Sequence, residues 1–343
     1  MKSYLYILFL FGLSWSSADE AVLAADREDP YVVRDVDFEE GGYWYGEAVC
    51  YGPYRDGQDP DGAHPTREQI REDLQLITGH WRTIRLYGSM GSSRDVLELL
   101  RDEFPRLRVM LGVWLAQEAT RDEDGTERSF PEAAAANRAE VEMAITLADE
   151  FEDQVSSICV GNETQVYWSA HRMPPDILIG YLREVRSRTR QPVTTADDYN
   201  FWNRPQSRDV AREVDFICVY AHPLWNGVQL NEALDWTVRT VDDIVRRHPD
   251  RKIVLGETGW ATCSHDEGMQ AKLIEGTPDE AGQAVFYEKV RSWSRERRLP
   301  VFFFEAFDEN WKGGPHPDEV EKHWGLFRAD RTPKAAIREP ADP

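Results

Sequence analysis

The feature that most constrains the fold is a regular alternation, from Tyr43 onward, between short apolar runs and longer amphipathic segments. Several of the runs are nearly continuous in Val, Ile, Leu and Phe, as strands covered on both faces are. Short apolar strands that alternate with helices are typical of βα units and a parallel sheet. Eight runs are present, over residues 46–54, 83–88, 108–115, 155–163, 193–199, 216–225, 253–260 and 301–311.

The segments between the runs have helical spacing. Thr66 to Gln69 forms a capping-box pattern, and Pro175 and Pro278 stand where a first helical turn tolerates proline. Helices are predicted over residues 69–80, 94–104, 131–151, 175–188, 206–213, 231–247 and 278–298. Eight strands in about 265 residues match an α/β fold of the (β/α)8 TIM-barrel type, and no G-x-G-x-x-G loop points to an open doubly wound sheet. We expect one barrel domain over residues 43–335.

The two ends of the chain lie outside this pattern. Lys2, an apolar stretch over residues 4–13 and the small residues 16–18 predict a signal peptide over residues 1–18. An uncleaved anchor is the alternative. Residues 19–42 are expected to form an acidic linker and residues 336–343 a tail. The protein is therefore predicted to be secreted or periplasmic, and free of the membrane after cleavage.

Charge and cysteine content narrow the possible partners. Asp and Glu total 62 against 40 Lys and Arg, so the formal charge is −22. This charge repels nucleic acid and anionic bilayers, and it favours small or neutral partners. We expect a monomer. The four cysteines are widely spaced and fit buried free thiols better than bridges, with Cys218 and Cys263 as the one pair worth checking.

Two glutamates break apolar strands at their ends. Glu163 ends the fourth run and Glu257 follows Gly256 in the seventh. In a barrel, catalytic groups come from the carboxyl ends of strands, and strands four and seven lie on roughly opposite sides of the mouth. Glycoside hydrolysis needs one protonated and one ionised carboxyl group, and two neighbouring carboxylates push their pKa values apart. The alternative is that each glutamate forms a structural salt bridge.

Aromatic residues gather near the same strand ends. Sugar rings stack their C–H faces on aromatic planes, so this composition indicates a carbohydrate cleft; the alternative is that some of these rings are barrel core. They are Tyr51, Tyr87, Trp114, Tyr167, Trp168, Tyr199, Trp202, Tyr220, Trp225, Trp260 and Trp311.

The eighth run ends in a charged cluster. Strand alternation places Glu305, Phe307 and Glu309 on one face, and Lys312 is expected to neutralise a carboxylate there. The eight histidines form no H-E-x-x-H and no close cluster in the sequence, so no metal or other cofactor is expected. His222 is as consistent with a structural role as with the site.

Three segments resemble the signatures of glycoside hydrolase family 17: Val160-Gly161-Asn162-Glu163, Gly256-Glu257-Thr258-Gly259-Trp260, and residues 304–312. The resemblance covers about residues 43–330. It implies a retaining (β/α)8 enzyme acting on β-1,3-glucans, with Glu163 as acid/base and Glu257 as nucleophile. It also implies that Asn162 binds the hydroxyl beside the reacting carbon and that Glu309 and Lys312 support the site. We expect the substrate to contact Tyr51, Tyr87, Asn162, Tyr199, Tyr220, Trp225, Trp260, Glu305, Glu309, Trp311 and Lys312.

The sequence departs from the family pattern in one motif. Trp260 is followed by Ala261, where plant and fungal members usually have Pro, and residues 50–58 look more like a bacterial and fungal branch. Some members of that branch transfer glucan chains to a sugar acceptor. Hydrolysis and transglycosylation both stay open, as do another β-linked polysaccharide substrate and a non-catalytic glucan-binding barrel.

Overall fold

Eight parallel strands close into a barrel in the computed structural model, which describes residues 32–338. Each of the eight apolar runs contains one strand, so the (β/α)8 prediction is confirmed. Consecutive strands are neighbours, and the last pairs with the first. The strands are β1 (Glu47–Cys50), β2 (Thr83–Arg85), β3 (Arg108–Val113), β4 (Val155–Asn162), β5 (Val193–Asp198), β6 (Phe216–Tyr220), β7 (Lys252–Thr258) and β8 (Val301–Phe303).

Helices cover the outside of the barrel. They are α1 (Arg67–Thr78), α2 (Ser93–Asp102), α3 (Pro131–Glu150), α4 (Pro175–Arg188), α5 (Tyr199–Trp202), α6 (Ser207–Ala211), α7 (Leu230–Arg247), α8 (Gln270–Leu273) and α9 (Glu280–Arg297). The Thr66 capping box is present as predicted. Pro278 lies outside the first turn, because the side chain of Asp279 caps α9 at the Gly282 amide. No helix among residues 32–338 is long and apolar enough to cross a membrane.

The segment before β1 closes the amino-terminal end of the barrel. Glu39–Glu40 and Tyr43–Trp44 form a short antiparallel hairpin. Val36 and Phe38 are buried in the barrel interior, and Phe38 packs edge-on against Phe302 of β8 at 6.1 Å. Residues 36–42 therefore belong to the fold and not to the predicted linker, because burial of Val36 and Phe38 at this end of the barrel removes their apolar side chains from water.

The remaining terminal predictions fall largely outside the described residues. The predicted signal peptide and residues 19–31 of the predicted linker lie there, as do residues 339–343. Ile337, which the sequence places in the tail, is buried in the outer core. All four cysteines are free, as predicted: Cys50, Cys159 and Cys218 are buried on strands, and Cys263 is partly buried after β7.

Candidate active site

Glu257 projects from β7 into a ring of hydrogen-bond donors. Its Oε1 accepts from Arg85 Nη1 and from the Tyr87 hydroxyl, each at 2.8 Å, and its Oε2 lies 3.3 Å from His222 Nε2. Burial works to raise the pKa of this carboxyl, but the hydrogen bond from His222 and the charge of Arg85 outweigh it, so the pKa lies below its ordinary value. Glu257 is therefore ionised at neutral pH.

Glu163 follows the last residue of β4 and has a different environment. Its backbone is in the left-handed region with φ 50°, and its amide donates to the Ala196 carbonyl of β5 at 2.9 Å. Burial, then the charge of Glu257 and then that of Asp197 raise the pKa of Glu163 to about 8. The two carboxyl groups thus have opposite protonation states at neutral pH, which is the split that acid-assisted nucleophilic chemistry requires.

Arg85 organises the floor of the site and was missed by the sequence analysis. It is 1% exposed at the end of β2, and its guanidinium lies over the Tyr87 and Tyr220 rings at 4.6 and 5.1 Å from their centroids. Besides Glu257, it donates to Asn162 Oδ1 at 2.9 Å and to the Tyr220 hydroxyl. A charged residue in an apolar run was the available signal, the same criterion that identified the two glutamates.

Asn162 lies beside Glu163, and hydrogen bonds to the Asn162 side-chain oxygen hold the residue in place. Arg85 can only donate, so the atom facing it must be Oδ1, and the Tyr220 hydroxyl donates to the same oxygen. This arrangement leaves the amide NH2 as a donor for a ligand. Asn162, Tyr87 and Tyr220 therefore join the two glutamates in one site.

The β8 ion cluster consists of Glu305, Glu309 and Lys312. Lys312 Nζ lies 2.5 Å from Glu305 Oε2 and 2.8 Å from Glu309 Oε2, which confirms the predicted pairing. Burial disfavours the ammonium, but the charges of Glu305 and Glu309 outweigh it and raise the pKa of Lys312. A Cβ at Gly52 would lie 2.3 Å from Glu309 Oε1, so a larger residue there requires the Glu309 carboxylate to move away from Lys312.

The alternation predicted beyond β8 is wrong. The strand ends at Phe303, so Glu305 and Glu309 lie in the following loop. Phe307 packs away from them, edge-on to Tyr51 at 6.0 Å and beside Phe327 at 5.3 Å. Lys312, and not a shared strand face, brings the two carboxylates together.

Some of the candidate aromatic residues are core. Tyr51 packs between barrel and helices and donates to Asp73 Oδ2 at 3.2 Å. Trp260 is buried against Phe286 and donates to the Thr277 carbonyl, and Trp202 is buried with its indole bonded to the Cys218 carbonyl. This packing gives Tyr51 and Trp260 a structural role in place of the expected substrate contact.

Other aromatic residues remain accessible. Trp311 is 40% exposed and packs edge-on against Tyr54, and Tyr199 is half-buried with its hydroxyl bonded to Asn226 Oδ1 at 2.7 Å. Tyr167 is 64% exposed beside Trp168 and lines a cavity of about 450 Å³ next to the β4 loop. Neither Glu163 nor Glu257 lines that cavity, so it is separate from the pocket that holds the two glutamates.

Glu321 is a second residue that the sequence analysis missed. It lies in a single helical turn, Val320–Lys322, and its Oε1 accepts from Trp225 Nε1 at 3.1 Å. Its charge contributes to the raised pKa of Glu163, so it faces the same cleft. Its position in a polar loop far from any strand offers no sequence signal.

Two buried carboxyl groups of opposite protonation state at the carboxyl ends of barrel strands are the arrangement that glycoside hydrolysis requires. Residues 48–325 match the family model described as the BtgE/BtgC glycoside hydrolase domain. The chain therefore belongs to the BtgE/BtgC glycoside hydrolase family.

Two relatives with similar sequences come from the fungi Aspergillus niger and Arthroderma benhamiae. A putative glucan endo-1,3-beta-glucosidase, btgC, of Aspergillus niger is 26% identical over 296 residues, which cover 80% of this chain and 40% of that protein. The chain thus spans about two fifths of that relative. A glucan 1,3-beta-glucosidase of Arthroderma benhamiae is 25% identical over 293 residues, covering 80% of this chain and 86% of that one.

Solved structures share the fold. An endo-laminarinase from Formosa Hel1_33_131 superposes with a TM-score of 0.73 at 25% identity, over 85% of this chain and 86% of that chain. A glycoside hydrolase family 17 β-1,3-glucanosyltransferase from Rhizomucor miehei superposes with a TM-score of 0.66 at 21% identity, over 85% and 96% of the two chains. At 21% identity, the comparison with the Rhizomucor miehei enzyme shows only that the two folds are similar.

Proposed function

We propose that this protein is an exported, retaining glycoside hydrolase of family 17 that cleaves β-1,3-glucosidic bonds in glucans. The observation that carries the proposal is the pair formed by Glu257, whose pKa is lowered, and Glu163, whose pKa is raised to about 8. Double displacement needs an ionised nucleophile and a protonated acid, and this pair supplies both at neutral pH.

In the first half-reaction Glu257 attacks the anomeric carbon while Glu163 protonates the departing oxygen. Arg85 and Tyr87 hold Glu257 Oε1, so Oε2, with its longer contact to His222, is the oxygen that attacks. The bond from Oε2 to carbon forms as the glycosidic bond breaks. In this mechanism the NH2 of Asn162 binds the hydroxyl next to the reacting carbon, because Arg85 and Tyr220 occupy only the side-chain oxygen.

The coupling between the two glutamates drives the second half-reaction. The charge of Glu257 is the second-largest cause of the raised pKa of Glu163. The glycosyl ester removes that charge, so the pKa of Glu163 falls once it has given up its proton. Glu163 then acts as the base that deprotonates the acceptor, which attacks the ester and releases Glu257.

The substrate class rests on chemistry and on the relatives. A formal charge of −22 disfavours polyanionic substrates and is compatible with a neutral polysaccharide. Trp311, in the loop after β8, and the Tyr167–Trp168 pair, in the loop after β4, offer exposed rings for sugar stacking. The names of the fungal relatives and of the Formosa enzyme point to β-1,3-glucan.

The test is incubation of the purified mature protein with laminari-oligosaccharides, with product sizes and the anomeric configuration followed over time. Glu257→Gln and Glu163→Gln should each lose at least about 10³-fold in rate, because each removes one half of the chemistry. Glu132→Gln, at an exposed carboxylate on α3, is the matched control and should retain full activity.

The outcomes separate the alternatives. Shorter products of retained configuration support the proposal. Products longer than the substrate assign the enzyme to transglycosylation, with the same first step. Initial products of inverted configuration refute the double displacement, and the absence of any product refutes the β-1,3-glucan assignment.

A further inference from the structure

Three potential metal ligands from two loops meet beside the catalytic mouth. Cys263 lies in the loop after β7, and Asp318 and His323 lie in the loop after β8. One ligand atom from each falls within 4.8 Å of the other two. Cys263 is a free thiol, so its sulfur is available to a metal. The three residues are separated in sequence, which is why the sequence analysis found no cluster.

A hydrogen bond to the backbone fixes the tautomer of His323. Its Nε2 lies 2.9 Å from the Pro317 carbonyl oxygen, which can only accept a hydrogen bond. Nε2 therefore carries the proton, and Nδ1 keeps its lone pair. Metal-binding histidines commonly donate their second N–H to a carbonyl or carboxylate, and this contact fixes the ring orientation.

A second layer of contacts holds the Asp318 loop in place. The Asp318 amide donates to His316 Nδ1 at 3.1 Å, and the His316 ring stacks on His265 at 4.0 Å. His265 Nε2 in turn lies 3.0 Å from Glu319 Oε2. These contacts tie the loop after β8 to the loop after β7 independently of the three candidate ligands.

The donor set selects the metal. Thiolate, imidazole and carboxylate together suit Zn²⁺, whereas Ca²⁺ and Mg²⁺ require oxygen ligands. Zinc–ligand bonds of about 2.0 to 2.3 Å in a tetrahedron place ligand atoms roughly 3.3 to 3.8 Å apart. Atoms already within 4.8 Å reach that spacing by small side-chain rotations.

We propose that Cys263, Asp318 and His323 bind one Zn²⁺ ion, with water as the fourth ligand. The site is separate from the two glutamates, since no contact between them and the three ligands is present in the part of the chain that the structure describes. The ion would join the β7 and β8 loops next to Trp324, whose ring packs against His222 at 5.3 Å. This proposal does not depend on the identity of the substrate.

The experiment measures zinc on the untagged mature protein after chelator treatment and dialysis against ZnCl2. We expect one zinc per chain. Because loss of a supporting hydrogen bond already costs 10- to 100-fold in affinity, Cys263→Ser and His323→Gln should each weaken binding by at least about tenfold. His64→Gln, an exposed histidine in the loop between β1 and α1, is the control and should bind zinc as the wild type does.

A second measurement uses the wild-type protein alone. Co²⁺ bound to it should show thiolate-to-metal charge-transfer absorption, which reports Cys263 because the other three cysteines are buried. Binding of less than one zinc per chain, the absence of the charge-transfer band, or equal zinc affinity in Cys263→Ser and the wild type each overturns the proposal. Stoichiometric zinc with the band present supports it, whether or not the protein cleaves glucans.

Discussion

The raised pKa of Glu163 has a cost in stability that can be measured. Folded Glu163 keeps its proton up to about pH 8, against an ordinary value of 4.5. Between these values the folded state binds more protons than the unfolded state, so raising the pH lowers the free energy of unfolding. Gln cannot ionise, so the free energy of unfolding of Glu163→Gln does not fall in this way. The variant therefore becomes more stable relative to the wild type as the pH rises.

The size of the gain follows from the pKa difference. From pH 5 to pH 8 the upper limit is three pKa units at about 1.36 kcal/mol each, or about 4 kcal/mol. Glu163 retains some solvent contact, which screens the effect, so we expect a relative gain of about 2 to 4 kcal/mol. The assay is denaturant unfolding of both proteins, followed by tryptophan fluorescence at pH 5 and pH 8.

A control isolates the effect of the site. Glu132→Gln changes an exposed carboxylate to the same amide and should show the same stability difference from the wild type at both pH values. If Glu163→Gln likewise differs from the wild type by an amount independent of pH, Glu163 is not held protonated, and the electrostatic basis of the acid/base role is refuted.

Three further predictions test the surroundings of the pair. The rate kcat/KM should fall as the pH rises through about 8, where Glu163 loses its proton, and a pH–rate profile that stays flat to pH 10 contradicts this. Arg85→Met leaves Glu257 without its buried cation. Enzyme kinetics should show a fall in kcat/KM of about 10²-fold or more, and denaturant titration should show a fall in the free energy of unfolding of about 3 to 5 kcal/mol. Gly52→Ala must displace the β8 ion cluster and should lower the free energy of unfolding by about 1 to 3 kcal/mol. Gly180→Ala, in open space on α4, should raise it by about 0.5 to 1 kcal/mol. Equal melting temperatures in the two variants would exclude the clash at Gly52.

The positions of the two glutamates at the barrel mouth could be predicted because the signals are local. A carboxylate that ends a nearly continuous apolar strand is costly to bury without a function. Glu163 and Glu257 both stand at such positions, so they can be recognised from the sequence without a structure. The same criterion applied to the second run would have found Arg85. The capping box at Thr66 and the bounds of α4 are likewise properties of neighbouring residues.

The direction in which a ring points could not be predicted. Strands covered on both faces lack alternation, so the sequence does not tell which side chains face the barrel interior and which face the helices. Tyr51 and Trp260 therefore looked like cleft residues and turned out to be core, whereas Tyr87 and Tyr220 face the site.

The sequence by itself determined the eight βα units, their order and the two glutamates at the mouth, because periodicity and strand-ending charges are read along the chain. Only the tertiary structure decided how those glutamates differ. The hydrogen bond from His222 and the charge of Arg85 lower the pKa of Glu257, and burial raises that of Glu163. Glu321 reaches the same cleft from a distant loop. Electrostatic interactions depend on distance and burial in space, and closure of the barrel sets both.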